Sequence, residues 1–447
     1  MTDMLDRLTH ALLDAARKAG AEAADAMAID GRSTSIDIRA GALEQAERAE
    51  AVEIGLRVLI GGRQACVSAS DISDATVAAL AERAVAMARE APDDPTAGLA
   101  DPSQIARGWD LAALELTDPS EEPSAAALEA DARAAEAGAM AQRGITQVQA
   151  SAGYSARRVH LAATNGFSGS YGRTSRSISA VAFTGEGTGM ERDYAGEGRV
   201  FQADLPDATA IGVLAGERAL TRAGAVKPKT GHFPVLFDER IAASLVGHLL
   251  SAVNGTSIAR GASWLRDALG AEVLPKGMSI VEDPLRPRMS GSRPFDGEGL
   301  PTQKRMIVQD GVLMGWTLDL ATGRKLGMPS TANAARGTSS PPSPATSNID
   351  LTPGHLSRDA LIAQMGTGLL VTSLIGSTIN PTTGDYSRGA SGFWVEGGQV
   401  KYPVNECTIA GNLREMLRSM IAANDARTHL STRVPSLLVE GLTLAGE

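Results

Sequence analysis

The residues best able to hold a metal or move a proton are six histidines: His10, His160, His232, His248, His355 and His429. None is followed by glutamate, so the chain contains no HExxH or HExxxH pair. No two lie within six residues of each other, so no helix offers a local pair of ligands. A zinc hydrolase needs about three protein ligands, an open coordination position and a base for the attacking water. The two cysteines, Cys66 and Cys407, form no CxxC and lie far apart. The expectation is therefore no metal ligand and no catalytic residue in this chain. Ligands gathered from distant positions remain the alternative. There is also no GxxxxGK[ST] phosphate loop and no GxSxG nucleophile elbow. GEGTG at 185–189 falls short of a dinucleotide fingerprint and reads as a turn between strands.

Several polar constellations could still contact a ligand. Asp385, Tyr386 and Arg388 in TGDYSRG could line a peptide groove; the plainer reading is a turn entering a strand at 391–396. His248 falls on a predicted helix over 239–253, with Ile241, Leu245, Leu249 and Val253 around it. That pattern marks a packing helix and makes His248 a hydrogen-bonded structural residue. Trp394 shares a predicted hairpin with Phe393 and Tyr402, so it is a candidate interface anchor unless the hairpin fills its own core. Asp296 and Glu298 in FDGEG could bind a cation or simply form a turn, and Glu396 and Glu406 read as solvent-facing strand ends.

The elements that would carry these residues follow from periodicity. Leu5, Leu8, Leu12 and Ala16 give helical spacing over 3–19, ended by Gly20. Strand-like stretches at 34–39 and 52–59, a Gly61-Gly62 turn and a helix over 75–91 complete a first region, 1–91. A Pro- and Asp-rich linker follows at 92–108. A second region, 109–226, predicts helix 123–142, strands at 145–153, 158–163 and 174–183, and helix 208–223. Residues 232–447 form a larger Gly-rich region, with hairpin turns at Asp310-Gly311 and Gly397-Gly398 and a helix over 413–424 capped by Asn412. The Ser/Thr/Pro-rich stretch 326–358 reads as a mobile surface loop or lid. The fold class is α+β, with mixed and antiparallel sheets, packed helices and a larger C-terminal domain.

Composition excludes some partners. Lys+Arg is 42 and Asp+Glu is 52, a formal charge of −10 that repels phosphate backbones. The nearest basic cluster, Arg157, Arg158, Arg173 and Arg176, reads as a solvated sheet face. Aromatics are only 4%, too few for stacking platforms on single-stranded nucleic acid. No apolar run is long enough to span a bilayer. The opening MTDMLDRLTH lacks signal-peptide character, and two cysteines suit a reducing compartment. A cytoplasmic location is expected, with no nucleic acid and no membrane as partner.

Longer motifs carry a resemblance. IRAGALEQAE and IGLRVLIGGRQACVSASD within 38–71, MERDYAG at 190–196 and VGHLLSAVNGTSIARGASWLRDALG at 246–270 occur in order. They are followed by RPFDGEGLPTQKRMIVQDGVLMGW at 293–316, GRKLG at 323–327, and TGDYSRGASGFWVEGGQVKYPVNECTIAGNLREML ending at 417. This series resembles the TldD/PmbA family over nearly the whole chain. The family has a TldD-like kind, with zinc on HExxxH and a later cysteine, and a PmbA-like (TldE) kind without that motif. The chain is similar to the second kind. The resemblance implies a heterodimer in which zinc sits in a TldD-like partner and this chain encloses the peptide. It implies peptides or small unstructured proteins as substrates, as in peptide-antibiotic maturation, and a historical label of modulator of DNA gyrase. Self-association without the partner is a further expectation. The alternatives are an autonomous metallopeptidase with scattered ligands and a regulatory protein acting on gyrase.

Overall fold

The computed structural model describes residues 4–447. Residue 3 of the predicted first helix lies outside them. Helix α1 (Met4–Ala19) buries Leu5, Leu12, Leu13 and Ala16. Strands β1 (Ala23–Arg39), β2 (Ala42–Ile60) and β3 (Arg63–Ala69) lead into α2 (Asp74–Glu90). After a short helix α3 (Leu111–Leu114), the pattern repeats: α4 (Ala125–Met140), β4 (Ile145–Ala163), β5 (Ser168–Thr184), β6 (Glu191–Arg199) and α5 (Ala208–Leu220).

The two regions share one sheet. Its order is β3-β2-β1-β4-β5-β6, and β1 pairs antiparallel with β4 from Asp25↔Ala163 to Arg39↔Gln149. The strands are far longer than the alternating stretches suggest, because small Ala, Gly and Ser positions continue the ladder without an apolar signal. Even-numbered residues such as Ala24, Ala26, Ile54 and Leu56 pack under α1 and α2. Ile36, Ile38, Ala150 and Ile178 pack under α4 and α5. These two helices touch through small residues: a Cβ on Gly212 would lie 1.8 Å from the Ala135 carbonyl oxygen.

The opposite, odd-numbered face presents Met27, Ile29, Leu161 and Ala163, which pack with Phe167 and with Phe295 of the C-terminal domain. The 92–108 linker is a bound strap across this seam. Ala106 N–H donates to the Gly299 carbonyl at 2.8 Å, and Arg324 donates to the carbonyls of Thr96 and Leu99.

The C-terminal domain is built on β7 (Gly231–Phe237), which is flanked by Gly368–Ile379 in parallel and Leu437–Ala445 in antiparallel pairing. Asp385–Glu396 and Gln399–Asn412 extend the sheet, and Thr408↔Ala445 pairing closes it on itself. Helix α6 (Glu239–Ala252) packs on this sheet through Ala242, Leu245, Val246 and Leu249. Asp310-Gly311 and Gly397-Gly398 form the expected hairpin turns, all four residues with positive φ. The helix after Asn412 is shorter than predicted and stops at Ser419.

The stretch 326–358 is a surface loop only in part. Residues 339–341 and 355–358 are exposed, but two segments run through the interior: Ala334 and Asn348 are 0% exposed, and Ile349 and Leu351 are nearly so. Its low complexity reflects polar side chains that bond inward, such as Asn333 Nδ2 to Glu282 at 2.8 Å and Asn348 Nδ2 to the Asp283 carbonyl at 2.7 Å.

Candidate functional site

Helix α6 places His248 beside the Asp385–Glu396 strand. Side chains on a strand alternate, so Tyr386, Arg388, Ala390 and Trp394 share the parity that faces α6. The His248 and Tyr386 rings meet edge to face, 5.8 Å apart at 73°. Neither His248 Nε2 nor the Tyr386 hydroxyl has a protein hydrogen-bond partner, although both atoms are buried. The hydrogen-bonded histidine expected from the packing pattern is thus an unpaired one. Burial lowers the His248 pKa first and the Arg388 charge lowers it further, which favours neutral imidazole. Burial pushes the Tyr386 phenol up to about 12, against the opposing effect of Arg388. Arg388 itself donates from Nε to the Gly376 carbonyl at 2.7 Å.

Asp385 begins the strand rather than a turn and belongs to a different local network. Its Oδ2 accepts from Thr383 at 2.6 Å and its Oδ1 from Asn412 Nδ2 at 3.1 Å, and these bonds hold its pKa low. Trp394 is corrected from interface anchor to core. It is 1% exposed and stands edge-on to Phe233 at 5.0 Å. Its parity with Tyr386 turns it inward, and Phe393 is the less buried of the two.

The residues around His248 do not fit a zinc ion. An imidazole, a phenol and a guanidinium converge there, without a second imidazole, a thiolate or a carboxylate base. A fixed cation is a poor neighbour for a second cation. Among the described residues, no group of three or more His, Cys, Asp or Glu side chains is placed to hold a metal.

The other candidates separate. Glu396 and Glu406 are exposed, as expected. Asp296 and Glu298 do form a turn, but a buried one, at 2% and 8% exposure. Asp296 accepts from the backbone N–H groups of Glu298, Leu300 and Ala334, and Glu298 accepts from Leu320 N–H. The basic cluster is split. Arg176 is buried against Asp131, whereas Arg157 and Arg173 lie in the cleft facing the C-terminal domain. Two arginines that sequence reasoning missed, Arg293 and Arg336, face them from that domain. No local spacing announced these, since only tertiary packing brings them together.

The chain matches three sequence profiles of one family in order. These are PmbA/TldA metallopeptidase domain 1 over 24–88, the central domain over 116–223 and the C-terminal domain over 230–446. It is 35% identical over 415 residues to Metalloprotease PmbA of Escherichia coli O157:H7, covering 92% of this chain and 90% of that protein. A Bacteroides thetaiotaomicron crystal structure, solved as a candidate modulator of DNA gyrase, superposes with a TM-score of 0.92 at 28% identity and covers all of both chains. TldE of Thermococcus kodakarensis shares the fold, with a TM-score of 0.84 at 20% identity, over 98% of this chain and 99% of that one.

Proposed function

The chain belongs to the PmbA/TldD metallopeptidase family, and from that premise we propose that it is the PmbA-type (TldE-type) subunit of a two-subunit zinc peptidase. In this reading a TldD-like partner supplies zinc and hydrolysis, while this chain shapes the chamber that holds the peptide. The observation that carries the reading is the α6 site. Its only metal-binding side chain, His248, faces a tyrosine and an arginine. A neutral imidazole and a protonated phenol beside a guanidinium supply neither a zinc ligand set nor a base for water, which supports a non-hydrolytic role for this chain. Peptides and small unstructured proteins, antibiotic precursors among them, are the substrates of this reading, and its setting is the cytoplasm. The gyrase label is taken as a phenotype of lost proteolysis, which agrees with the acidic net charge of −10.

The test is to purify the chain alone and together with a TldD-like subunit, then measure zinc content and cleavage of an unfolded peptide. The chain alone is expected to carry no stoichiometric zinc and to cleave nothing. The pair is expected to co-elute, to hold zinc and to cleave. Chelator-sensitive cleavage by the isolated chain would overturn the proposal, as would failure to form a complex at micromolar concentration.

A further inference from the structure

The cleft between the odd-numbered face of the N-terminal sheet and the C-terminal domain encloses a cavity of about 240 Å³. Four of its eight lining residues are arginines, namely Arg157, Arg173, Arg293 and Arg336, and none is acidic. Met27, Val159 and Tyr171 form an apolar wall beside them.

The strand register makes this concentration of charge costly. Arg157 on β4 stands directly opposite Arg173 on β5, and like charges in that position repel. Among the described residues neither has a carboxylate partner. Arg173 is held in place by neutral acceptors, the carbonyls of Ser290 and Ser292, and its guanidinium lies 5.8 Å from the Tyr171 ring centroid. Arg293 donates to the carbonyls of Ala334 and Ala345, yet its buried Nε has no partner. Arg336 has a fully buried side chain. One of its nitrogens pairs with Asp25, which Arg57 already engages, while its Nη2 is buried and unpartnered. A buried guanidinium N–H without an acceptor destabilises the fold unless a ligand satisfies it.

A smaller lobe of about 100 Å³ continues the cavity past Leu161 and Phe295. Asp296 lies on that lobe, but its carboxylate is already taken by three backbone N–H groups. Guanidinium forks match a carboxylate in shape and charge. At about 240 Å³ the main cavity is smaller than a typical ligand pocket of about 300–1,000 Å³, which suits one residue of a chain better than a nucleotide. The geometry points to an anion site here that takes a carboxylate of an acidic peptide, with the neighbouring side chain against the Met27, Val159 and Tyr171 wall. The anion site stands on these residues alone; the choice of a peptide as its bearer rests on the proposed function.

The experiment uses the intact chain and two short unfolded peptides. One carries aspartates and a free C-terminus; the other has asparagines and an amidated end. Calorimetry is expected to show the acidic peptide binding about tenfold or more tightly than the neutral one, as charge-assisted hydrogen bonds predict, with the gap shrinking in high salt. Arg157 is exposed and has no structural bond to lose, so Arg157→Ala should keep the wild-type unfolding curve yet weaken acidic-peptide binding about tenfold. Arg157→Glu should abolish it. Equal binding of the two peptides overturns the inference, and so does an Arg157→Ala protein that binds like wild type. Inorganic phosphate that binds in an Arg157-dependent way while the acidic peptide does not bind also overturns the peptide assignment. Complex formation and cleavage with a TldD-like subunit are scored separately. A working pair without charge discrimination sinks only this site, and charge discrimination without a working pair sinks only the proposed function.

Discussion

Replacing Glu298 by glutamine should remove a loss of stability that the wild-type chain suffers as pH rises. Glu298 sits at the seam between the sheet and the C-terminal domain, 8% exposed, accepting a hydrogen bond from Leu320 N–H at 2.9 Å. Burial above all, then the Asp296 charge, raises its pKa from 4.5 to about 8. In the unfolded chain the carboxyl ionises near the ordinary value, whereas in the fold it keeps its proton to about pH 8. Across that window the folded state holds more protons than the unfolded one, so stability falls as pH rises. One proton gives a slope of about 1.4 kcal/mol per pH unit, hence up to about 3 kcal/mol between about pH 6 and about pH 8. Glutamine keeps the shape and the acceptor for Leu320 but has nothing to ionise. Urea unfolding of both proteins at these two pH values reads the effect, since their difference cancels the titrating groups that do not interact with Glu298 and leaves Glu298 together with its neighbour Asp296. The variant should gain on wild type at the higher pH. An equal gap at both pH values would refute the assignment of the proton to Glu298.

Trp394→Ala should lower stability by about 3–5 kcal/mol, as for a buried aromatic in a packed core, and lower the melting temperature accordingly. At temperatures where the variant stays folded, its complex with a TldD-like subunit should form as for wild type on size exclusion; a binding defect without a stability defect would restore the interface assignment. Limited trypsin digestion should cut early at Arg48, on the exposed arm of β2, and not at Arg336, whose side chain is 0% exposed. Early cleavage after Arg336, located by mass spectrometry, would contradict the packing of 332–338 in the interior.

Much of the fold was legible because its helices are amphipathic and its turns carry Gly-Gly or Asp-Gly. Leu5, Leu12 and Ala16 mark α1, and Gly397-Gly398 marks its hairpin. The long β1, β2 and β4 strands were only partly visible. Runs such as Gly31–Ser35 carry no apolar alternation, and their pairing across the sheet comes from neighbours remote in sequence. The α6 site was half legible. His248, Tyr386 and Arg388 were named and do converge, but Asp385 turns to Asn412 instead. Trp394 could have been placed by parity, since it lies eight residues from Tyr386 on the same strand. The 326–358 stretch misled only in part: 339–341 and 355–358 are exposed, but around Asn333 and Asn348 polar composition was equated with exposure. A segment whose amides bond inward can be polar and buried at once.

The arginine cleft was out of reach from sequence, and the reason lies in how the seam is built. Two buried ionic clusters join the N-terminal sheet to the C-terminal domain. In one, Asp25 binds Arg57 and Arg336; in the other, Asp193 binds Arg222 and Arg240, while Arg222 also donates to Ser391 and Thr372. Buried ion pairs give back much of their attraction as desolvation cost, so their main effect here is to fix one relative position of the two bodies. That fixed position presses Arg293 and Arg336 against the Arg157–Arg173 pair while spending Asp25 and Asp296 on other partners. An acidic chain thereby acquires a preformed pocket of excess positive charge. A preformed pocket loses less ordering entropy on binding than one assembled by its ligand, so a short acidic segment can be held there without the domains having to close on it.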